Sequence, residues 1–318
     1  MENDKNQVLL EKIQNVKTEI SKAVLGKEGI IDKILTVVIA GGHILLEDIP
    51  GVGKTTLALA LSKATSLEYQ RLQFTPDVLP TDVTGFTVYD KKNDSFNYKP
   101  GAALCNLFLA DEINRTSSKT QSALLEIMEE GHITVDGVMH KVPKPFTVIA
   151  TQNPIGYVGT QMLPESQLDR FMVRLSMGYP AAADEVNILK GKQGNNPLKS
   201  VNAVASGEDI IAMRKAVEEV YTDDKIFGYI VALADATRHN EMLSLGISPR
   251  GTVAIAKLAR AHAFMQGRDF VIPDDVTEIF IDAAEHRVAV SAKAKIGGMS
   301  AEAILKSVLS QVKCPGIN

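Results

Sequence analysis

Three short stretches of this chain carry residue types that can bind and cleave a phosphoanhydride. The first is Pro50-Gly51-Val52-Gly53-Lys54-Thr55-Thr56. Its glycines let backbone amides turn toward an anion with no Cβ in the way. The Ala/Leu-rich helix that follows adds unsatisfied N–H groups and a positive dipole end. In such a loop Lys54 reaches the β- and γ-phosphates and the Thr55 hydroxyl coordinates Mg²⁺. The match is incomplete, because Asp48 stands where a full phosphate loop has its first glycine.

The second stretch, Leu107-Phe108-Leu109-Ala110-Asp111-Glu112, puts two acids at the carboxyl end of an apolar run. Ligands of open α/β sheets bind at that end of the strands. Asp111 is the expected Mg²⁺ partner, and Glu112 the group that orients the attacking water, a role that is chiefly positioning. The helix beyond them shows its own start signal, Ser118 and Gln121 spaced as a capping box, which leaves the acids spare. In the third stretch, Thr147 to Thr151 is followed by Gln152-Asn153-Pro154, and an amide at Asn153 could bond both the γ-phosphate and the water.

Arginines complete the set. Arg170 precedes the last expected strand and Arg174 follows four residues on; either could stabilise transition-state charge, and spacing does not choose between them. Arg250 follows Ser248-Pro249, a good helix start. A cation in a first helical turn is disfavoured by about 0.3–1 kcal/mol, and such a choice is expected where function compensates it; a phosphate is the anion anticipated there.

These residues need a scaffold, and the chain predicts one. Strands are expected over Ile44 to Glu47, Tyr69 to Phe74, Leu107 to Ala110, Thr147 to Thr151 and Met172 to Met177, with helical patterns between them. That alternation marks a parallel α/β sheet. Two hairpins interrupt it. One turns on Asp136-Gly137, a pair that favours a tight two-residue turn; the looser one joins Phe86 to Tyr89 with Phe96 to Tyr98. The expected division is an α/β core over 1–180, a linker or loop over 181–200 and a small helical domain without strands over 201–318.

The 318 residues are 45% hydrophobic and 23% charged, enough for a core and too balanced for a fibrous or disordered chain. A net charge of −4 disfavours nucleic acid as a partner. No run reaches the ~18 apolar residues of a membrane span. Two distant cysteines fit neither a disulfide framework nor a metal site; a soluble cytoplasmic protein is the expectation. The six histidines show no metal-binding spacing.

The ordered blocks resemble the MoxR family of AAA+ ATPases along nearly the whole chain. They run from Val24-Leu25-Gly26-Lys27-Glu28 through Glu47-Asp48-Ile49-Pro50-Gly51-Val52-Gly53-Lys54-Thr55, Gln73-Phe74-Thr75-Pro76-Asp77 and Leu109-Ala110-Asp111-Glu112-Ile113-Asn114-Arg115. Ala150-Thr151-Gln152-Asn153-Pro154, Pro164 to Phe171 and Ser248-Pro249-Arg250 complete them. The resemblance implies that Asp48 is normal for such a loop and that the hairpins are a helix-2 insert (about 82–104) and a pre-sensor-1 hairpin (about 131–142). It also implies an ATP cradle of Gly51, Val52, Gly53, Lys54, Thr55 and Thr56, with Leu25 and Gly26 beside the adenine. Thr55 and Asp111 then serve Mg²⁺, Glu112 is the catalytic acid, Asn153 is sensor 1, Arg170 is the arginine finger and Arg250 is sensor 2. A hexameric ring with Arg170 acting in trans is implied, as is a chaperone-like motor working on a protein client with a von Willebrand factor A domain partner. On this reading the helical domain is a lid whose Arg250 touches the γ-phosphate in the ATP state. The alternatives are a metal chelatase motor subunit, a nucleic-acid-remodelling ATPase of the same clade, and a monomeric phosphotransferase.

Overall fold

A computed structural model describes residues 2–153, 163–191 and 196–316. Its first part runs α1 (Glu2–Ser21), α2 (Glu28–Ile39), β1 (Ile44–Glu47), α3 (Lys54–Ala64), β2 (Tyr69–Gln73), α4 (Pro80–Thr84), β3 (Gly85–Asp90) and β4 (Ser95–Pro100). It continues through β5 (Leu107–Asp111), α5 (Ser118–Glu130), β6 (His132–Val135), β7 (Val138–Lys141), β8 (Thr147–Gln152), α6 (Glu165–Leu168) and β9 (Val173–Leu175).

Five of these strands form one parallel sheet in the order β2-β5-β8-β1-β9. β5 is buried along its whole length and β8 to all but its last residue, as strands covered on both faces must be. Successive side chains go to opposite sides. Phe108, Ala110, Val148 and Ala150 pack with Leu124 and Leu125 of α5. Leu107, Leu109 and Ile149 pack instead with α1, α2 and α3, in a cluster that continues into the carboxyl-terminal helices. β9 is shorter than the run Met172 to Met177, because the Met177 and Gly178 amides leave the ladder to bond the Asp48 carboxylate.

Both hairpins form. Asp136 and Gly137 turn β6 into β7 with φ values of 49° and 80°, the doubly left-handed turn that matches strand twist. The rings of Tyr98 on β4 and His140 on β7 stack at 3.7 Å, so the hairpins lean on each other. The segment 181–200 is not simply a loop: it contains α7 (Ala182–Gly191) and a 3-10 turn at Pro197–Ser200, while 192–195 lie outside the described residues. Asp184 and Glu185 in the first turn of α7 suit its dipole.

The rest is helical: α8 (Gly207–Glu219), α9 (Asp224–Arg238), α10 (Pro249–Met265), α11 (Pro273–Ala284), α12 (Ala292–Ile296) and α13 (Ala301–Gln311). One addition escapes the helical spacing, a short antiparallel pairing of β10 (Leu243–Leu245) with β11 (Ala289–Val290). No helix among the described residues is long and apolar enough to cross a membrane.

Lid and core are strapped together. Arg287, just after α11, is 1% exposed in its side chain and donates to the Asp169 carboxylate (2.8 Å) and to the carbonyls of Phe171 (2.6 Å) and Met172 (3.0 Å). The second Asp169 oxygen accepts from Ser248 Oγ at 2.8 Å. Arg174 bridges Glu47 of β1 (3.1 Å) and Glu285 of the lid (3.0 Å).

Candidate active site

The loop between β1 and α3 turns on Gly51 and Gly53, left-handed at φ 89° and 100°, where a Cβ would strain the backbone. Lys54 opens α3, is 8% exposed, and donates to the Asp48 carbonyl at 2.8 Å. Burial pushes its ammonium pKa down, against Asp48, Asp111 and Glu112, which pull it up. The lysine is therefore a desolvated cation facing three acids, with Thr55 and Thr56 beside it in the first turn.

Asp48, the misfit of the sequence pattern, has a structural task. Its buried carboxylate accepts from Ser176 Oγ (2.7 Å), Met177 N (2.6 Å) and Gly178 N (3.0 Å). A glycine there could not tie the loop to the end of β9.

Asp111 ends β5. One of its carboxylate oxygens accepts from Thr151 Oγ1 at 2.6 Å and the other from Arg71 of β2 at 2.7 Å. Glu112 is left-handed at φ 58°, an uncommon conformation for a non-glycine residue, and its amide is held by Thr151 Oγ1 at 2.8 Å. One Glu112 oxygen accepts from Arg115 (2.7 Å) and the other from Asn153 Nδ2 (3.1 Å). Burial raises the carboxyl's pKa, but the bonds from Arg115, Asn153 and Gln73 outweigh it, and the group sits below the ordinary value. Asn153 is buried beside it, as the strand pattern anticipated; Pro154 lies outside the described residues. Neither acid caps α5. The cap is Ser117, one residue before the expected Ser118, and its hydroxyl accepts from Thr120 N while Gln121 bonds the carbonyls of Ile113 and Thr116.

A cleft of about 510 Å³ opens beside the loop, lined by Val24, Leu25, Val52, Gly53, Thr56 and Ile188 among others. Its size and apolar walls suit a purine. Gly26 is left-handed at φ 66°, a conformation in which any other residue would be strained, and the Asp184 carboxylate lies against it.

The arginines lie elsewhere. β1 and β9 are parallel, with Ile44 opposite Val173, so Arg170, just before β9, sits at the amino edge of the sheet. The phosphate loop follows Glu47 at the carboxyl edge. Arg250 joins Arg170: both guanidiniums bond Glu129 at the end of α5, Arg170 at 2.9 Å. The placement of α5's end is fixed independently by His43, just before β1, whose Nε2 meets the Met128 carbonyl at 3.0 Å. Ser248 caps α10 as expected, accepting from Gly251 N. The anion beside Arg250 in this structure is Glu129, across the sheet from the phosphate loop of the same chain, and the Arg287 strap holds that arrangement.

Residues 43–173 match the ATPase family associated with various cellular activities (AAA), and residues 235–308 match the AAA lid domain. Chaperone MoxR1 of Mycobacterium tuberculosis is 35% identical over 94% of this chain and 81% of its own length. The chain belongs to the MoxR family of AAA+ ATPases. Another relative, protein YeaC of Bacillus subtilis, is 46% identical over 93% of this chain and 92% of its own. A crystal structure of a protein from Cytophaga hutchinsonii superposes with a TM-score of 0.92 at 34% identity, covering 98% of both chains. This MoxR-type site contains residues that the sequence blocks did not single out: Arg71 and Thr151 on Asp111, Arg115 on Glu112, and Glu129 between the two arginines. For Arg71, Thr151 and Glu129 spacing carries no signal, because their partners come from other strands and helices; Arg115, three residues beyond Glu112, had a local spacing that could have shown its ion pair.

Proposed function

We propose that this chain hydrolyses ATP at sites shared between neighbouring copies, as a chaperone-like motor. One observation carries the shared site: Arg170 and Arg250 stand at the sheet edge opposite Lys54 and Glu112 of the same chain. β1 alone spans four residues, about 13 Å at ~3.3 Å per residue, which is longer than an arginine side chain. The arginines can serve a triphosphate only if it is bound by another copy. Such head-to-tail contacts close into rings, in keeping with the hexamer that the family resemblance implies.

Within a site, the Gly51–Gly53 amides and Lys54 bind the β- and γ-phosphates, and the base enters the cleft beside Leu25 and Gly26. Glu112, kept ionised by Arg115 and Asn153, orients water toward the γ-phosphorus. Asn153 holds that carboxylate and reaches toward the phosphate side. Arg170 and Arg250 of the adjoining copy meet charge that spreads over the γ-phosphoryl oxygens in the loose transition state. The hard oxygen donors Asp111 and Thr55 fit Mg²⁺; Arg71, bonded to Asp111, marks that carboxylate as a seat for positive charge. When bound, the metal neutralises β- and γ-phosphate charge.

Exposed apolar residues on the hairpins, with Phe96 74% and Met139 59% accessible, favour a protein client over nucleic acid. The von Willebrand factor A domain partner rests on family membership alone. Lys54→Ala tests the nucleotide site. It should abolish ATP binding measured by calorimetry while the fold stays intact by circular dichroism, and ordinary ATP affinity in that variant would refute the reading.

A further inference from the structure

We infer that Glu129 is a positioning residue that stands in for the neighbour's triphosphate, holding Arg170 and Arg250 together until a loaded copy takes them. This rests on the shared-site reading above. The two guanidiniums arrive from different parts of the fold, Arg170 from the turn before β9 and Arg250 from the first turn of α10, and they meet on the two oxygens of one carboxylate.

Both charges sit at the wrong helix ends. Arg250 lies at the positive end of α10 and Glu129 in the last turn of α5, where the dipole is negative. Each is locally unfavourable, and pairing relieves both. Asp169, the acid next to Arg170 in the chain, is engaged by Arg287 and Ser248. Without the Glu129 carboxylate the two guanidiniums lose the anion that they share.

Glu129, at 38% side-chain exposure, is open enough to be exchanged for a phosphate. A contact made only in the unengaged protomer opposes assembly, and removing it must favour assembly. The test measures the ATP concentration for half-maximal assembly by sedimentation, in a Glu112→Gln background that preserves nucleotide. Adding Glu129→Gln should lower that concentration about two- to thirtyfold, the range for two partly exposed ion pairs. Glu129→Asp, shorter but still charged, should shift it less. Neither change should matter once Arg170→Ala and Arg250→Ala are also present. An unmoved or raised threshold overturns the inference, as does a shift that persists without the arginines. A purely structural role would lower the melting temperature and leave the ATP threshold alone. If the Glu112→Gln chain never assembles with ATP, the shared site falls and the inference with it; if it assembles and Glu129→Gln moves nothing, only the inference falls.

Discussion

Mixing experiments can decide which edge of the sheet each arginine serves. Arg170→Ala should cost about 10³–10⁵ in turnover, by comparison with other arginine fingers. Glu112→Gln should cost about 10²–10⁴, the usual contribution of a positioned acid–base group. In an equal mixture of the two variants, an interface works when Glu112 comes from one parent and Arg170 from the other. In a head-to-tail ring that is about a quarter of interfaces, one half times one half. ATPase activity should therefore climb from the trace level of either parent to about a quarter of the unmodified value. Arg250 sharpens the test, because it shares Glu129 with Arg170 rather than facing Lys54. Arg250→Ala should likewise be complemented by Glu112→Gln and should not be complemented by Arg170→Ala, since both arginines come from the same protomer. An Arg250 serving its own site gives the opposite pattern. A phosphate-release assay on the three mixtures reads the answer, and a mixture of Arg170→Ala with Glu112→Gln no more active than the mean of its parents would defeat the geometry argued here.

Three further outcomes follow from named contacts. Asp48→Ala strands the Ser176 hydroxyl and the Met177 and Gly178 amides, so chemical denaturation should show a loss of about 2–5 kcal/mol; a loss below ~1 kcal/mol would mean that the anchor is idle. Removing Arg115 takes a donor from Glu112 that holds its carboxyl low against the opposing pull of burial, so the acid limb of kcat/KM in Arg115→Ala should move to higher pH, and an unshifted limb would remove Arg115 from its role. His43 accepts from Val148 N on Nδ1 and donates from Nε2 to the Met128 carbonyl, and burial depresses its pKa from 6.5 to about 4. With the folded value below the unfolded one, its contribution is complete above pH 6.5 and is lost as pH falls toward 4. His43→Gln should flatten the stability profile in that window by about 1.4 kcal/mol per pH unit, and an identical slope in both chains would show that the ring is not held neutral.

Much of the site was legible because its chemistry is local. Gly51 to Thr55, Asp111-Glu112 and Asn153 are contiguous with the strands that carry them, and a strand tip places its next residues with little freedom. The Asp136-Gly137 turn was legible for the same reason. Boundaries were less so: Ser117 rather than Ser118 caps α5, since neighbouring hydroxyls offer equal signals and packing picks one. The β10–β11 pairing was invisible because segments of three and two residues show no periodicity.

What the chain dictates by itself is the order of parts: a phosphate loop after a strand, two acids after a buried strand, an amide after another, and arginines before the last strand and at the start of α10. These follow from backbone geometry and side-chain chemistry over a few residues. Which parts meet was decided only by folding. Parallel strands put the ends of β1, β5 and β8 together and the approach to β9 at the far edge, while Arg287 and Asp169 fix the lid so that Arg250 joins Arg170. Contacts between residues over a hundred positions apart depend on sheet order and domain docking, which no local pattern encodes.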